Sequence, residues 1–149
     1  MALSIDQENL LVGRLNRTEG RRSKPYVDTV GKITIGVGHN LTNKGLPDSI
    51  IDELLKIDLA DAERDSISIP VYDKLDPIRQ TVIVDMVFNM GANDVRQFVN
   101  MLGAINRRDY ATAASCMLQS KWAEQVGSRA IELANIMRTG QIGVSNQNG

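Results

Sequence analysis

The pattern of apolar and polar positions divides the chain into one short extended region and a series of helices. From about Ser4 to Arg17 apolar residues recur at helical spacing, with Leu11 and Leu15 opening a stripe, and Ser4 and Gln7 have the separation of a capping box. The stretch Thr18 to Thr42, TEGRRSKPYVDTVGKITIGVGHNLT, loses that period. Pro25 and Gly31 interrupt it, and Ile33 to Val37 alternates around Gly36, which predicts strand, turn and strand. Asn43, Gly45 and Pro47 mark a further turn, and Pro47 suits the first position of a helix running to about Ser66. Ile51, Leu54, Leu55 and Ala62 share one face of that helix. At 1.5 Å per residue its length of roughly 30 Å is enough to connect two lobes. Asp58 lies on the same face, where an unpaired charge is costly, so an ion pair with His39 is expected, the alternative being that Asp58 sits at a wet edge of the face and His39 caps a turn.

The rest of the chain reads as helical. Ser68 to Leu75 turns around Pro70, and Asp76-Pro77 then supplies an N-cap and a first-turn proline. Pro77 to Met90 is apolar on nearly every side (Ile78, Val82, Ile83, Val84, Met86, Val87, Phe88) and stops at Gly91, which predicts a buried helix. Shorter helices are expected at about Asp94 to Asn106, Asp109 to Leu118, Ser120 to Gln125 and Ser128 to Arg138, the last capped by Ser128 and stopped by Gly140. Trp122, amid Ala and Leu, reads as a core residue in preference to a sugar platform. The polar tail QIGVSNQNG reads as frayed.

Composition narrows the partners. A chain of 149 residues, 42% of them hydrophobic, is one domain's worth or two small lobes sharing a core. A net charge of −1 argues against nucleic acid or an anionic membrane as the main partner. Arg14, Arg17, Arg21, Arg22 and Lys24 form a local basic cluster that either gathers at a cleft or is an ordinary solvated helix end. Cys116 is the sole cysteine, so no intramolecular disulfide forms, which fits folding in a reducing cytosol. No apolar run approaches the ~20 residues of a membrane span, and MALSIDQENL lacks the apolar region of a signal peptide, so no stable membrane insertion is expected. His39 has no second His or Cys near it, and the G-x-G at Gly36 to Gly38 lacks the third glycine and following helix of a dinucleotide site. No metal or cofactor is expected.

The chemistry concentrates in three side chains of the extended region: Glu19, Asp28 nine residues on, and Thr34 six after that. Glu19 follows a helix, whose dipole mildly disfavours a carboxylate at that end, and a residue placed against preference wants a reason. An acid at a helix end and an acid on a hairpin can face each other across a cleft. Glycoside hydrolysis needs that arrangement, with one acid to protonate the leaving oxygen and one carboxylate to activate water on the opposite face. Thr34 adds a hydroxyl to hold the water.

The spacing Glu, eight residues, Asp, five residues, Thr, set in EG-x5-Y-x-DT-x-G-x-x-TIG-x-GH-x-LT, resembles the T-even type of bacteriophage lysozymes, glycoside hydrolase family 24. PVYDKLDPIRQ with MVFNMG (Pro70 to Gly91) and SKWAEQVGSRA with RTG (Ser120 to Gly140) are similar to that type as well, so the resemblance covers nearly the whole chain. It departs in net charge, since well-known members are basic, and in a shorter region after Thr42. The resemblance implies an α+β, lysozyme-like fold in one lysozyme domain. A small β-hairpin lobe at about 19–46 and a connecting helix at about 47–66 lead to an α-helical lobe at about 67–140, which the N-terminal helix joins. It further implies a muramidase cutting the β-1,4 bond between N-acetylmuramic acid and N-acetylglucosamine by an inverting mechanism, with Glu19, Asp28 and Thr34 catalytic. Aligned motifs place substrate contacts at Asn40, Phe88, Met101 and Cys116, of which Phe88 keeps the expected residue type, and make Arg129 a partner for Glu19. The implied setting is a monomeric endolysin acting on peptidoglycan glycan strands. It would await a holin in the host cytoplasm and reach the cell wall on release, causing host lysis. A non-catalytic sugar-binding relative has no need for all three catalytic residues, and a lytic transglycosylase generally manages without a water-activating Asp.

Overall fold

Ser4 opens the first helix by the expected device. In this computed structural model, which describes residues 2–143, Ser4 Oγ accepts the Gln7 N–H at 3.2 Å and Gln7 Oε1 accepts the Ser4 N–H at 2.9 Å. Helix α1 runs Ile5–Thr18, with Asp6 and Glu8 in its first turn and Arg17 in its last, each complementing the helix dipole. Three strands follow, β1 (Arg22–Val27), β2 (Ile33–Gly36) and β3 (His39–Asn40), in one antiparallel sheet of order β1-β2-β3. Arg22 pairs with Gly36 and Tyr26 with Thr34, so β1 spends more residues than β2 between those pairs. The surplus contains Pro25, which has no N–H to give to a ladder and sits where a bulge tolerates it. Thr34 is central, opposite Tyr26 on one side and Asn40 on the other.

A short helix, α2 (Leu41–Lys44), occupies the place where the sequence predicts a turn. Asn40 caps it, its Oδ1 accepting the Asn43 N–H at 2.9 Å, and Thr42 Oγ1 accepts the Ile33 N–H at 2.8 Å, tying α2 to β2. Helix α3 (Asp48–Ile67) matches the expected connecting helix within a residue. Its apolar positions Ile51, Leu54 and Leu55 are exposed, and burial is confined to Ala62 and Ser66. Asp58 is exposed too, so the cost of a buried charge that motivated a partner does not arise. His39 instead places Nε2 2.6 Å from the Gly45 carbonyl oxygen.

The chain forms two compact units that divide at Glu53 and Leu54, inside α3. The first holds α1, the sheet and α2; the sequence reading had grouped α1 with the helical lobe. The second is organised on α4 (Pro77–Met90), whose span is the expected one: Asp76 caps it, Pro77 opens it, and Gly91 ends it at φ 88°. Val82, Ile83 and Met86 of α4 have no exposed surface. A single expected helix from Asp94 to Asn106 is two, α5 (Ala92–Arg96) and α6 (Val99–Asn106). Phe98 leaves helical geometry between them and meets Trp122 edge to face, ring centroids 6.3 Å apart. Helices α7 (Tyr110–Leu118), α8 (Lys121–Val126) and α9 (Ser128–Thr139) complete the unit. Ser128 does not cap α9 but lies inside it, after Gly127 at φ 61°, while Gly140 stops it in the left-handed region at φ 68°. Trp122 is a core residue, as its neighbours imply, with its Nε1 donating to Asn89 Oδ1 at 2.8 Å. Arg79 staples α4 to α9, donating to the Met137 carbonyl at 2.6 Å and lying 3.6 Å from the Tyr110 ring centre. The class is α+β. Of the tail read as frayed, residues 144–149 lie outside the described residues.

Candidate active site

Glu19 leaves α1 at its C-cap, its N–H still bonded to the Leu15 carbonyl at 2.9 Å, and Gly20 at φ 77° turns the chain into β1. The Glu19 side chain lies against the β2–β3 turn, where a Cβ on Gly38 would stand 3.3 Å from Glu19 Oε2. A glycine there leaves the carboxyl its room.

Asp28 is placed by the other turn. Its N–H donates to the Lys32 carbonyl at 2.9 Å, the Gly31 N–H donates back to the Asp28 carbonyl at 3.1 Å, and Gly31 takes φ 82°. This is a three-residue hairpin loop with glycine in its left-handed position. Asp28 Oδ1 accepts two backbone N–H groups, Val30 at 3.0 Å and Lys32 at 2.8 Å, so the carboxylate is held in one orientation with Oδ2 uncommitted. Thr34 is 4% exposed, the one buried polar side chain of the sheet, and its Oγ1 donates to the Lys32 carbonyl at 3.2 Å. With its proton spent on Lys32, the hydroxyl offers acceptor lone pairs.

These three residues line one cavity of about 620 Å³ within the first unit, together with Arg22, Tyr26 and Asn40. Asn40 therefore reaches the cavity its aligned position implies, with its oxygen already engaged as the α2 cap. Phe88 and Arg129 lie in the second unit and line a separate apolar cavity of about 580 Å³ with Leu55, Leu59, Tyr72 and Val84. Phe88 is the one large α4 side chain left 40% exposed. Arg129 makes its ion pair with Asp85, Nε to Oδ1 at 3.0 Å. Met101 has 0% exposure and is a core residue, so the motif alignment carried a sugar contact onto a side chain with no surface to offer. Cys116 is partly buried and packs against the same core.

The basic cluster of the sequence disperses. Arg17 folds back to the Gly13 carbonyl at 3.3 Å and Arg21 lies 3.4 Å from Asn16 Oδ1, both on α1, whereas Arg22 lines the cavity. Arg22 and Gly38 were not singled out by the sequence. The signal for Gly38 is present in the G-x-G at Gly36 to Gly38, weighed above only as a fragment of a dinucleotide site. Among the described residues no group of three or more His, Cys, Asp or Glu is placed to hold a metal, and no helix is long and apolar enough to cross a membrane.

Comparison with known proteins finds relatives over most of the chain. The family model described as phage lysozyme matches residues 16–138, a span that includes Glu19, Asp28 and Thr34. "Probable T4-type lysozyme 1" of Dictyostelium discoideum is 30% identical over 86% of the chain and 93% of its own length. The "Endolysin" of Salmonella phage P22 is 34% identical over 75% of the chain and 81% of its own length. The "Pre-baseplate central spike protein Gp5" of Enterobacteria phage T4 is 32% identical over 86% of the chain, a match that takes up 27% of the spike protein.

Proposed function

This chain belongs to the phage lysozyme family and is a lysozyme-type hydrolase, and from that premise we propose that it is a muramidase acting by inversion. It cuts the β-1,4 bond between N-acetylmuramic acid and N-acetylglucosamine in peptidoglycan glycan strands, with both units forming one lysozyme domain. The observation that carries this reading is the meeting of Glu19, Asp28 and Thr34 in one cavity. Glu19 is the general acid that protonates the leaving oxygen. Asp28 Oδ2 takes one proton from a water whose other O–H donates a hydrogen bond to Thr34 Oγ1. The water oxygen bonds to the anomeric carbon as the bond to the leaving oxygen breaks and that oxygen takes the Glu19 proton. The two N–H bonds on Asp28 Oδ1 support this role, because a carboxylate so held is a fixed acceptor and a poor swinging nucleophile. An inverting course asks for carboxyl groups ~6.5–9.5 Å apart, which leaves room for that water. Asn40, Phe88 and Arg129 are proposed sugar contacts.

The match to the phage P22 endolysin, which spans most of that protein, supports a biological role as an endolysin. On this reading the enzyme works as a monomer, waits in the host cytoplasm and reaches the wall through a holin-made lesion. Expression in a Gram-negative host with and without a holin tests that, with lysis expected only in the first case.

The catalytic assignment is tested by turbidity clearing of outer-membrane-permeabilised cells. Glu19→Gln removes the proton donor at constant size and should lower the rate by roughly 10²–10⁴-fold with the melting temperature unchanged. Activity kept within a few fold would remove Glu19 from the mechanism. Proton NMR of the first-formed reducing end should show the α-anomer, and a β-anomer or a glycosyl adduct on Asp28 would refute inversion.

A further inference from the structure

The cavity that holds the two acids also holds one cation, and the muramidase reading gives it no task. Arg22 and Tyr26 both line it, and the Arg22 guanidinium carbon lies 4.3 Å from the Tyr26 ring centre. Stacking of this kind fixes a guanidinium through its charge without using its N–H groups. Among the described residues Arg22 donates no side-chain hydrogen bond and makes no ion pair, unlike Arg17 and Arg21, which fold back onto α1. Its register keeps it there, since Arg22 pairs with Gly36 at the end of β2, on the sheet that carries Thr34. Five N–H donors in a planar fork therefore line the cavity proposed to bind sugar, beside an aromatic ring.

The acceptor that suits a planar fork is a carboxylate, bound through two parallel N–H···O bonds. We propose that Arg22, stacked on Tyr26, is a specificity-determining residue that binds a carboxylate of the peptidoglycan strand beside the scissile bond. The inference rests on the muramidase reading and names which strands the site prefers. Two carboxylates are available on that polymer. One is on the lactyl ether of the muramic acid, free where the stem peptide has been removed. The other belongs to the stem peptide itself. A polymer of N-acetylglucosamine alone has neither. Asp28 acts in this cavity as a carboxylate in the proposed mechanism, so a second anion enters against its charge unless a cation offsets it. Arg22 supplies that offset at the point where the strand is charged.

The experiment uses the full chain and soluble glycan strands in three forms: peptide-bearing, peptide-free with lactyl carboxylates, and either form with its carboxyls converted to amides. For wild type, kcat/KM on carboxylate strands should exceed that on amidated strands by roughly 10–100-fold, the worth of a charged bidentate contact. In Arg22→Ala this ratio should fall to near one, with the change carried by KM. In Arg22→Lys, which keeps the charge and loses the fork, it should be intermediate. The form on which the ratio collapses, peptide-free or peptide-bearing, identifies the carboxylate. Thermal melts confirm that both variants fold, and the lysine variant keeps the test alive if the alanine variant does not. A ratio that survives in both variants, or a loss that falls on kcat equally for all strands, overturns the proposal. Wild type that cleaves no form of strand would sink the muramidase reading itself, an outcome distinct from cleavage without discrimination.

Discussion

The two units are stabilised by different means. In the first, among the described residues, Thr34 is the one buried side chain, and the structure is held by hydrogen bonds: the Ser4–Gln7 box, the Asp28 turn, Thr42 to Ile33, Asn40 to Asn43 and His39 to Gly45. In the second, α4 threads a core that includes Ile83, Met86, Met101, Ile105, Met117 and Met137, each nearly or wholly without exposed surface. A hydrogen bond contributes a net ~0.5–1.5 kcal/mol, whereas full burial of a Met or Ile side chain contributes ~1.5–3 kcal/mol. The unit that carries the acids is thus fixed in direction more than in bulk. Directional bonds hold side chains in orientation around the cavity, which is what the proposed acid pair requires.

Removing bulk from the second unit should give the largest effect. Met86→Ala deletes a side chain with 0% exposure and should cost about 2–5 kcal/mol of stability, read by urea denaturation. Activity per folded molecule at low temperature should change little. A cost under about 1 kcal/mol would mean that this core is not packed as described.

Removing direction from the first unit should cost less stability and more turnover. Gly36 and Gly38 both have positive φ, 67° and 69°, so alanine at either should cost about 1–2 kcal/mol in backbone strain. They differ in surroundings. A Cβ at Gly36 meets nothing within 4 Å, whereas one at Gly38 meets Glu19 Oε2 at 3.3 Å and makes the carboxyl give way. The pair is therefore a strain-matched test: similar melting temperatures, with kcat reduced further in Gly38→Ala than in Gly36→Ala. Equal kcat values in the two variants would show that Gly38 does not position Glu19.

The contrast also explains what could be read from the sequence. Helix α4 was legible to the residue because Asp76, Pro77, fourteen residues of apolar pattern and Gly91 all state the same thing locally. The hairpin that carries Asp28 was legible because turn chemistry is local too, Asp28 and Gly31 fixing one loop between them. The break between α5 and α6 was not, because Phe98 leaves the helix at a point where it meets Trp122, twenty-four positions away in the chain. Ser128 misled for a related reason: Gly127 already turns the chain, and the hydroxyl has no cap to make. Arg22 was visible only as one of five basic residues, since Tyr26 stacking and the fold-back of Arg17 and Arg21 are side-chain events that spacing does not encode. Met101 shows the limit of motif alignment, which transfers a position in the chain and not the exposure of its side chain.

The smallest effect predicted concerns the charge at the start of α4. Asp76 accepts the Arg79 backbone N–H at 3.1 Å and pairs with its guanidinium at 3.0 Å. Burial taken alone would raise the Asp76 pKa, but the hydrogen bonds and charge of Arg79 together outweigh it and hold the carboxyl below its ordinary 3.8. A carboxylate whose pKa is depressed by folding contributes stability that is fully present above its unfolded value and is lost as pH falls through the folded one. Asp76→Asn keeps an oxygen that can cap α4 and removes only the charge, and the pair is more than a third exposed on the aspartate side, so solvent screening reduces its worth. The variant should lose roughly 0.3–1 kcal/mol at pH 7. That difference should persist to about pH 4 and vanish as the wild-type carboxyl protonates below it. Asp109, likewise held below its ordinary value by its bonds from Thr112, is present in both proteins and cancels in the subtraction. Urea melts of the two proteins at pH 7, 4, 3 and 2 provide the check. A difference that stays constant across the series would mean that Asp76 acts at the helix start as a neutral cap and that its charge contributes nothing.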